Sequence, residues 1–165
     1  MQCPYESVFS NLSGDELCTS YCDLFEPCEQ REFELNLKYG FDCQCEVCSL
    51  GEKEKEEIDV CRQKYRKLDE QILEEGTLDP QRGLELVRKA LQTMNKCLPM
   101  VPRFVAKNAF EGFQFALTVG NNLEEAQKFI QMAWRARYIE GGKEFEETKE
   151  MLKYLNNPKS HPLYH

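Results

Sequence analysis

Residues 39–48 read Tyr-Gly-Phe-Asp-Cys-Gln-Cys-Glu-Val-Cys, so Cys43, Cys45 and Cys48 stand as C-x-C-x-x-C directly behind Tyr39, Gly40 and Phe41. Three thiols this close along a chain point in different directions and cannot all enter one apolar core. They can converge on a metal. Zinc suits them, because it is soft enough for thiolate and tolerates tight loop geometry. A structural zinc site normally takes four protein ligands, and this run supplies three. The fourth must come from elsewhere, which makes the segment a clip closing onto another part of a fold. The bland alternative is a chance cluster of reduced surface cysteines.

Working outward, the composition divides at about residue 50. Of the 9 cysteines, all but Cys61 and Cys97 fall in residues 1–50. That stretch holds ten acids against only Arg31 and Lys38, which accounts for the whole formal charge of -8; the remainder is neutral. Two regions, 1–50 and 51–165, are the natural inference. No run is apolar enough to span a membrane, and Met1 to Glu6 have neither the basic start nor the apolar stretch of a signal peptide. A disulfide framework is therefore not expected, and the odd cysteine count agrees. The expected compartment is reducing, nucleus or cytoplasm. An acidic first region argues against direct nucleic-acid binding, which needs a basic face. It would suit a basic partner such as a lysine-bearing peptide, although such acids more often only keep a surface solvated.

The region after the cysteines predicts helices. Ile58, Cys61, Tyr65, Leu68 and Ile72 recur at steps of three and four over 53–75, and Gly76 stops the run. Asp79 and Pro80 read as an N-cap and a first-position proline. A second helix runs through Leu84, Val87, Leu91, Met94 and Leu98, with Pro99 and Pro102 breaking it. A third carries Val105, Ala109, Phe110, Phe113, Ala116 and Leu117 and ends at Gly120. Asn121 or Asn122 caps a fourth, with Leu123, Ala126, Phe129, Ile130, Ala133, Trp134 and Arg137, closed by Gly141 and Gly142. A short fifth holds Phe145, Thr148, Met151, Leu152 and Leu155. Short connections make antiparallel neighbours. Small residues alternating with large ones resemble tetratricopeptide-like hairpins. The aromatics Phe104, Phe110, Phe113 and Phe115, with Trp134, read as core rather than as a peptide groove. His161 and His165 read as solvated tail residues.

Residues 1–48 look like strand and turn material. Gly14-Asp15 marks a turn, Glu16 to Tyr21 an extended run, and 29–38 a short amphipathic helix with Phe33 and Leu37 on one face. One or two strands cannot bury a sheet face alone, so this region reads as the end of something larger.

The string GDELCTSY (Gly14 to Tyr21), the short helix bearing Glu29-Gln30-Arg31, and YGFDCQCEVC (Tyr39 to Cys48) together resemble the end of a SET domain and its post-SET zinc clip. The branch is the one in which helices follow, as in the SET-and-MYND lysine methyltransferases and the fungal SET-domain proteins. The order and spacing of the three pieces carry the specificity. Ala136-Arg137, Glu140-Gly141, Pro158, His161 and Tyr164 resemble the fungal set more weakly. The resemblance implies a mainly α chain. An incomplete SET-type β segment and post-SET zinc loop (1–50, the end of SET and post-SET) would precede an antiparallel, tetratricopeptide-like helical bundle (51–165).

It also implies a knotted β fold that binds S-adenosyl-L-methionine on one side and a lysine on the other, joined by a channel. Tyr21 matches the catalytic tyrosine, Tyr39 a second tyrosine of the lysine channel, Phe41 an aromatic against the cofactor's adenine, and Cys43, Cys45 and Cys48 the zinc ligands. The implied chemistry is direct methyl transfer from a sulfonium to a neutral amine, helped by in-line orientation and oxygen dipoles.

The family also uses a glycine-rich cofactor segment, and an Asn-His-Ser-Cys stretch whose cysteine is the fourth zinc ligand. Neither occurs in these 165 residues, whose first histidine is His161. The chain is thus expected to be a fragment of a protein-lysine N-methyltransferase, inactive alone, acting on a lysine-bearing protein. For the fourth thiolate Cys28 is nearest in sequence, while Cys18 and Cys22 flank Tyr21. The alternative is a non-catalytic helical protein-interaction module stapled by zinc. A free-standing zinc ribbon is poorer, for want of a second cysteine pair at knuckle spacing.

Overall fold

The structure, a computed structural model, describes residues 20–97, 101–120 and 122–164. The expected turn at Gly14-Asp15, most of the extended run into Tyr21, and His165 lie outside the described residues. Among those described there is no strand, and the chain is mainly helical: α1 Cys28–Tyr39, α2 Glu52–Glu75, α3 Pro80–Cys97, α4 Pro102–Thr118, α5 Leu123–Gly141 and α6 Glu146–Asn156, followed by a 3-10 turn at Pro158–Ser160. No helix among them is long and apolar enough to cross a membrane.

From α2 onward each helix packs on the next along the chain. The spacing explains why. Leu84, Val87 and Met94 of α3, Val105, Ala109, Phe113 and Ala116 of α4, and Ala126, Ile130 and Ala133 of α5 fall on single faces at helical period, and all are essentially fully buried. Small residues set the helix separation. A Cβ placed on Gly112 would stand 2.9 Å from the Phe129 ring and from Val87 Cγ1, so α4 approaches its neighbours more closely than alanine allows. Asp79 caps α3 as its sequence predicts, accepting from the amides of Gln81 (3.0 Å) and Arg82 (3.2 Å). The aromatics Phe104, Phe110, Phe113 and Phe115, with Trp134, belong to this core or pack against it.

Several expectations need correction. Pro102 does not only end a helix; it opens α4 as its first residue, where its missing N–H costs nothing. Phe145 precedes α6 rather than lying inside it. His161 is not solvated: it is buried, with its ring 5.2 Å from the Phe113 centroid and 4.7 Å from that of Tyr154. Cys61 is disulfide-bonded, one link where none was expected. On α1, Phe33 and Leu37 do share a face, but that face is exposed (67% and 71%), while Cys28, Arg31 and Leu35 turn inward.

The chain before α1 is tied to the helices by one ring and several charges. Phe25 stacks on Tyr65 of α2 at 4.6 Å and meets Phe104 of α4 edge-on at 4.4 Å, joining the helical core. Arg66 of α2 pairs with Asp23 (2.7 Å) and Glu26 (2.9 Å). Asp59 of α2 accepts from the Cys28 amide at 2.7 Å, and Arg62 beside it donates to its other oxygen at 3.4 Å. The Arg66 pairs are partly exposed and each worth about 0–1 kcal/mol, so they fix orientation more than they stabilise.

Candidate zinc centre and aromatic wall

The site begins with a helix ending. Gly40 terminates α1 in the left-handed region (φ 73), its amide donating to Asn36 O at 2.9 Å. Glycine takes this conformation without the Cβ clash that other residues meet. The chain therefore reverses after Tyr39 and lays 41–48 beside α1. Two tight turns follow, with the Ser49 amide on Cys45 O (3.0 Å) and the Leu50 amide on Val47 O (3.3 Å). Their effect is convergence: the sulfurs of Cys43, Cys45 and Cys48 all lie within 4.8 Å of one another.

Four sulfurs at the usual zinc–sulfur length of about 2.3 Å stand about 3.8 Å apart around a tetrahedral ion, so the trio fits zinc with little contraction. Electrostatics agree. Burial pushes the Cys43 and Cys48 thiols up to about 11. For Cys45 the upward effect of burial is outweighed by hydrogen bonds, first from the Cys48 backbone, and its thiol is lowered. A metal entering here would displace protons from Cys43 and Cys48, which makes its affinity rise with pH.

Beside the trio, Cys28 Sγ lies 3.9 Å from Cys48 Sγ and donates to Glu32 Oε1 at 3.4 Å. Arg31, only 3% exposed, donates to Glu26 O (3.2 Å) and reaches Cys48 Sγ (3.8 Å). Cys22, half-buried, is a free thiol.

The aromatic residues singled out from the sequence also meet. The Tyr21 and Tyr39 ring centroids are 5.1 Å apart, Tyr21 and Phe41 6.1 Å, and Tyr39 and Phe41 6.5 Å. All three are open to solvent (53%, 51% and 39%), a cluster with one face uncovered. Tyr21 reaches this place because Arg66 holds the next turn of chain, where the Phe25 amide closes onto Asp23 Oδ1 at 2.9 Å. A cavity of about 430 Å³ lies behind it, between Cys22, Phe25, Tyr65, Arg66 and Arg103. Sequence reasoning missed Arg31, Asp59 and Arg66. Of these only Arg31 left a trace, one helical turn after Cys28.

No family model matches the chain. Curated proteins do. The chain is 26% identical over 152 residues to "Histone-lysine N-methyltransferase set5" of Schizosaccharomyces pombe, covering 92% of the chain and 47% of that protein. It is 39% identical over 66 residues to "N-lysine methyltransferase SMYD2" of Gallus gallus, which covers 40% of the chain and 14% of that protein. The Homo sapiens protein of the same name is 38% identical over 47 residues. The chain is homologous to the C-terminal region of SET/SMYD-like methyltransferases. It spans about half the length of the fission-yeast relative and a smaller share of the others. The cysteine trio that could hold zinc is in keeping with that homology.

Proposed function

We propose that the chain is part of a protein-lysine N-methyltransferase that uses S-adenosyl-L-methionine. In this reading residues 1–50 are the end of an incomplete SET-type β segment with its post-SET zinc loop, and residues 51–165 a separate helical domain of tetratricopeptide-like hairpins. Cys43, Cys45 and Cys48 hold structural zinc, Tyr21 and Tyr39 wall the lysine channel, and Phe41 packs against the cofactor's adenine. The observation that carries the reading is the meeting of Tyr21, Tyr39 and Phe41 in one solvent-open cluster on the chain that leads into the sulfur trio.

When bound, the cofactor would supply the methyl group on its sulfonium. The residues of this chain orient and bind. The Tyr21 and Tyr39 phenols offer oxygen dipoles to the lysine amine and hold it in line without acting as nucleophiles. The zinc clip fixes Tyr39 and Phe41, because both lie within four residues of Cys43. The substrate is a lysine-bearing protein, and the setting nucleus or cytoplasm.

These 165 residues hold neither the glycine-rich segment nor the Asn-His-Ser-Cys stretch, so the chain alone is inactive. Calorimetric titration with S-adenosyl-L-methionine is expected to show no micromolar binding to it; clear micromolar binding would contradict the one-walled site. Methyl transfer to basic proteins by the protein from its natural source is expected to drop by about 100-fold or more with Tyr21→Phe, in line with loss of a transition-state dipole. Undiminished transfer removes Tyr21 from the mechanism.

A second reading is a zinc-stapled, non-catalytic interaction module. The exposed Phe33 and Leu37 on α1 favour it. Recovery of one dominant partner by the natural protein, with no methyl transfer, would select this alternative.

A further inference from the structure

A hollow of about 290 Å³ opens between α2 and α3, ringed by Lys64, Lys89 and Lys96, with Gln92 and Thr93 beside them and Leu68 at its floor. We propose that it binds a compact, multiply charged phosphate compound of the polyphosphate type, held by the three ammonium groups. The hollow shares no residue with the sulfur trio or the aromatic cluster, so the proposal stands apart from the zinc and methyltransferase readings.

Helical spacing builds the site. Lys89, Gln92, Thr93 and Lys96 follow one another at i, i+3, i+4 and i+7, a single stripe along α3. Cys61, Lys64 and Leu68 stand at i, i+3 and i+7 on α2. The two helices pack together, and Cys61 Sγ lies 3.7 Å from the Thr93 carbonyl oxygen, so both stripes border one gap. Thr93 and Leu68 are buried while the lysines are exposed. The hollow thus runs from charged heads in water down to a closed floor.

Charge says what enters. Elsewhere in the bundle Arg66, Arg82, Arg88, Lys107 and Lys128 each meet a carboxylate. Among the described residues Lys64, Lys89 and Lys96 meet none. Glu85, one turn before Lys89, lies 3.6 Å from Arg82 instead. No carboxylate lines the hollow. A cleft walled by one sign of charge focuses the field and concentrates counter-ions. The formal charge of -8 on the whole chain does not cancel this, because charge farther than about 8 Å away is screened at physiological salt.

Shape narrows the ligand. The volume falls at the small end of ligand clefts, which run from about 300 to 1,000 Å³. No aromatic ring lines it on which a base could stack. Nucleic acid is held along a basic track that neutralises many phosphates, whereas these lysines gather at one point. Lysine binds phosphate as a point charge, and three of them suit a small group bearing several charges.

The test is calorimetric titration of the 165-residue chain with tripolyphosphate at about 0.15 M salt, with amide chemical shifts followed in parallel. One site per chain is expected, with shifts centred on residues 61–68 and 89–96. Combining Lys64→Gln, Lys89→Gln and Lys96→Gln should weaken binding by about tenfold or more, as three exposed charge contacts together imply. Combining Lys53→Gln, Lys143→Gln and Lys149→Gln removes the same charge from positions that do not line the hollow, and should leave the affinity nearly unchanged. Absence of binding, equal losses in the two triple variants, or shifts centred elsewhere overturns the proposal. Tighter binding of hexaglutamate or of a single-stranded oligonucleotide than of tripolyphosphate overturns it too, and reassigns the hollow to an acidic peptide or to nucleic acid. The wild-type shift map needs no variant, so a misfolded triple variant would not shelter the idea.

Discussion

At the scale of single residues, the interior holds groups whose protonation is coupled to folding. Glu111 on α4 is the clearest. Burial pushes its carboxyl up to about 7, against the pull of Lys107 3.9 Å away, and its Oε2 is buried without a partner. Its folded-state value lies above the unfolded one, so the unfolded chain ionises first as pH rises. The wild type therefore loses stability between about pH 4.5 and 7 and bears the full penalty above that. Glu111→Gln removes the loss. Thermal melts should show the variant more stable by on the order of 2 kcal/mol at pH 8 and about equal at pH 4. An equal gain at both values would mean that packing, not ionisation, sets the cost. His161 works in the opposite sense: burial lowers its imidazole, so its contribution to stability is present above the ordinary histidine range and fades as pH falls below it.

Neither group was legible in the sequence. His161 looked like a tail residue because its neighbours Pro158 to Tyr164 are polar or loop-forming; its cage of Phe113 and Tyr154 comes from α4 and α6. Asp59 and Arg66 were equally silent, because their partners are set by which segment lies alongside, and a lone charge in a mixed run says nothing of that; Arg31 entered only as part of Glu29-Gln30-Arg31, without its contact to Cys48. The cysteine trio was legible for the converse reason. Its ligands sit within six residues, close enough for the two tight turns to bring them together.

At the scale of elements, helical period fixed α2 to α5 because each buries one continuous stripe, and punctuation by Gly76, Asp79, Gly120 and Asn122 placed the ends. Asp79→Ala is expected to cost about 1 kcal/mol in chemical denaturation, since it strips two amides of α3 of their acceptor. No measurable change would mean that water replaces the cap. The face of α1 was read less well. Phe33 and Leu37 form the better apolar pair, yet the helix turns Cys28, Arg31 and Leu35 inward, where sulfur chemistry and the Asp59 contact outweigh two apolar side chains. Close approach was not readable either. Gly112 looks like an interruption in α4, but it is where α4 meets Val87 and Phe129. Gly112→Ala should destabilise by about 1–3 kcal/mol through overpacking, against a helix-propensity gain of about 1 kcal/mol. A net rise in melting temperature would show that the helices can separate at little cost.

At the scale of the whole molecule, the helices and the cysteine loop meet through Phe25, Arg66 and Asp59, so the aromatic cluster at Tyr21 is carried by α2 and α4 as much as by the loop itself. The bundle from α2 to α6 has its own buried stripe and does not draw on the sulfurs. Removing metal should thus be felt locally. The decisive measurement is metal analysis of the purified chain, joined to hydrogen exchange with and without a strong chelator. The account predicts one zinc ion per chain, and loss of amide protection in residues 40–50 on chelation while α3 to α5 stay protected. A chain that carries no stoichiometric zinc, and whose 40–50 amides exchange identically with and without chelator, would contradict it.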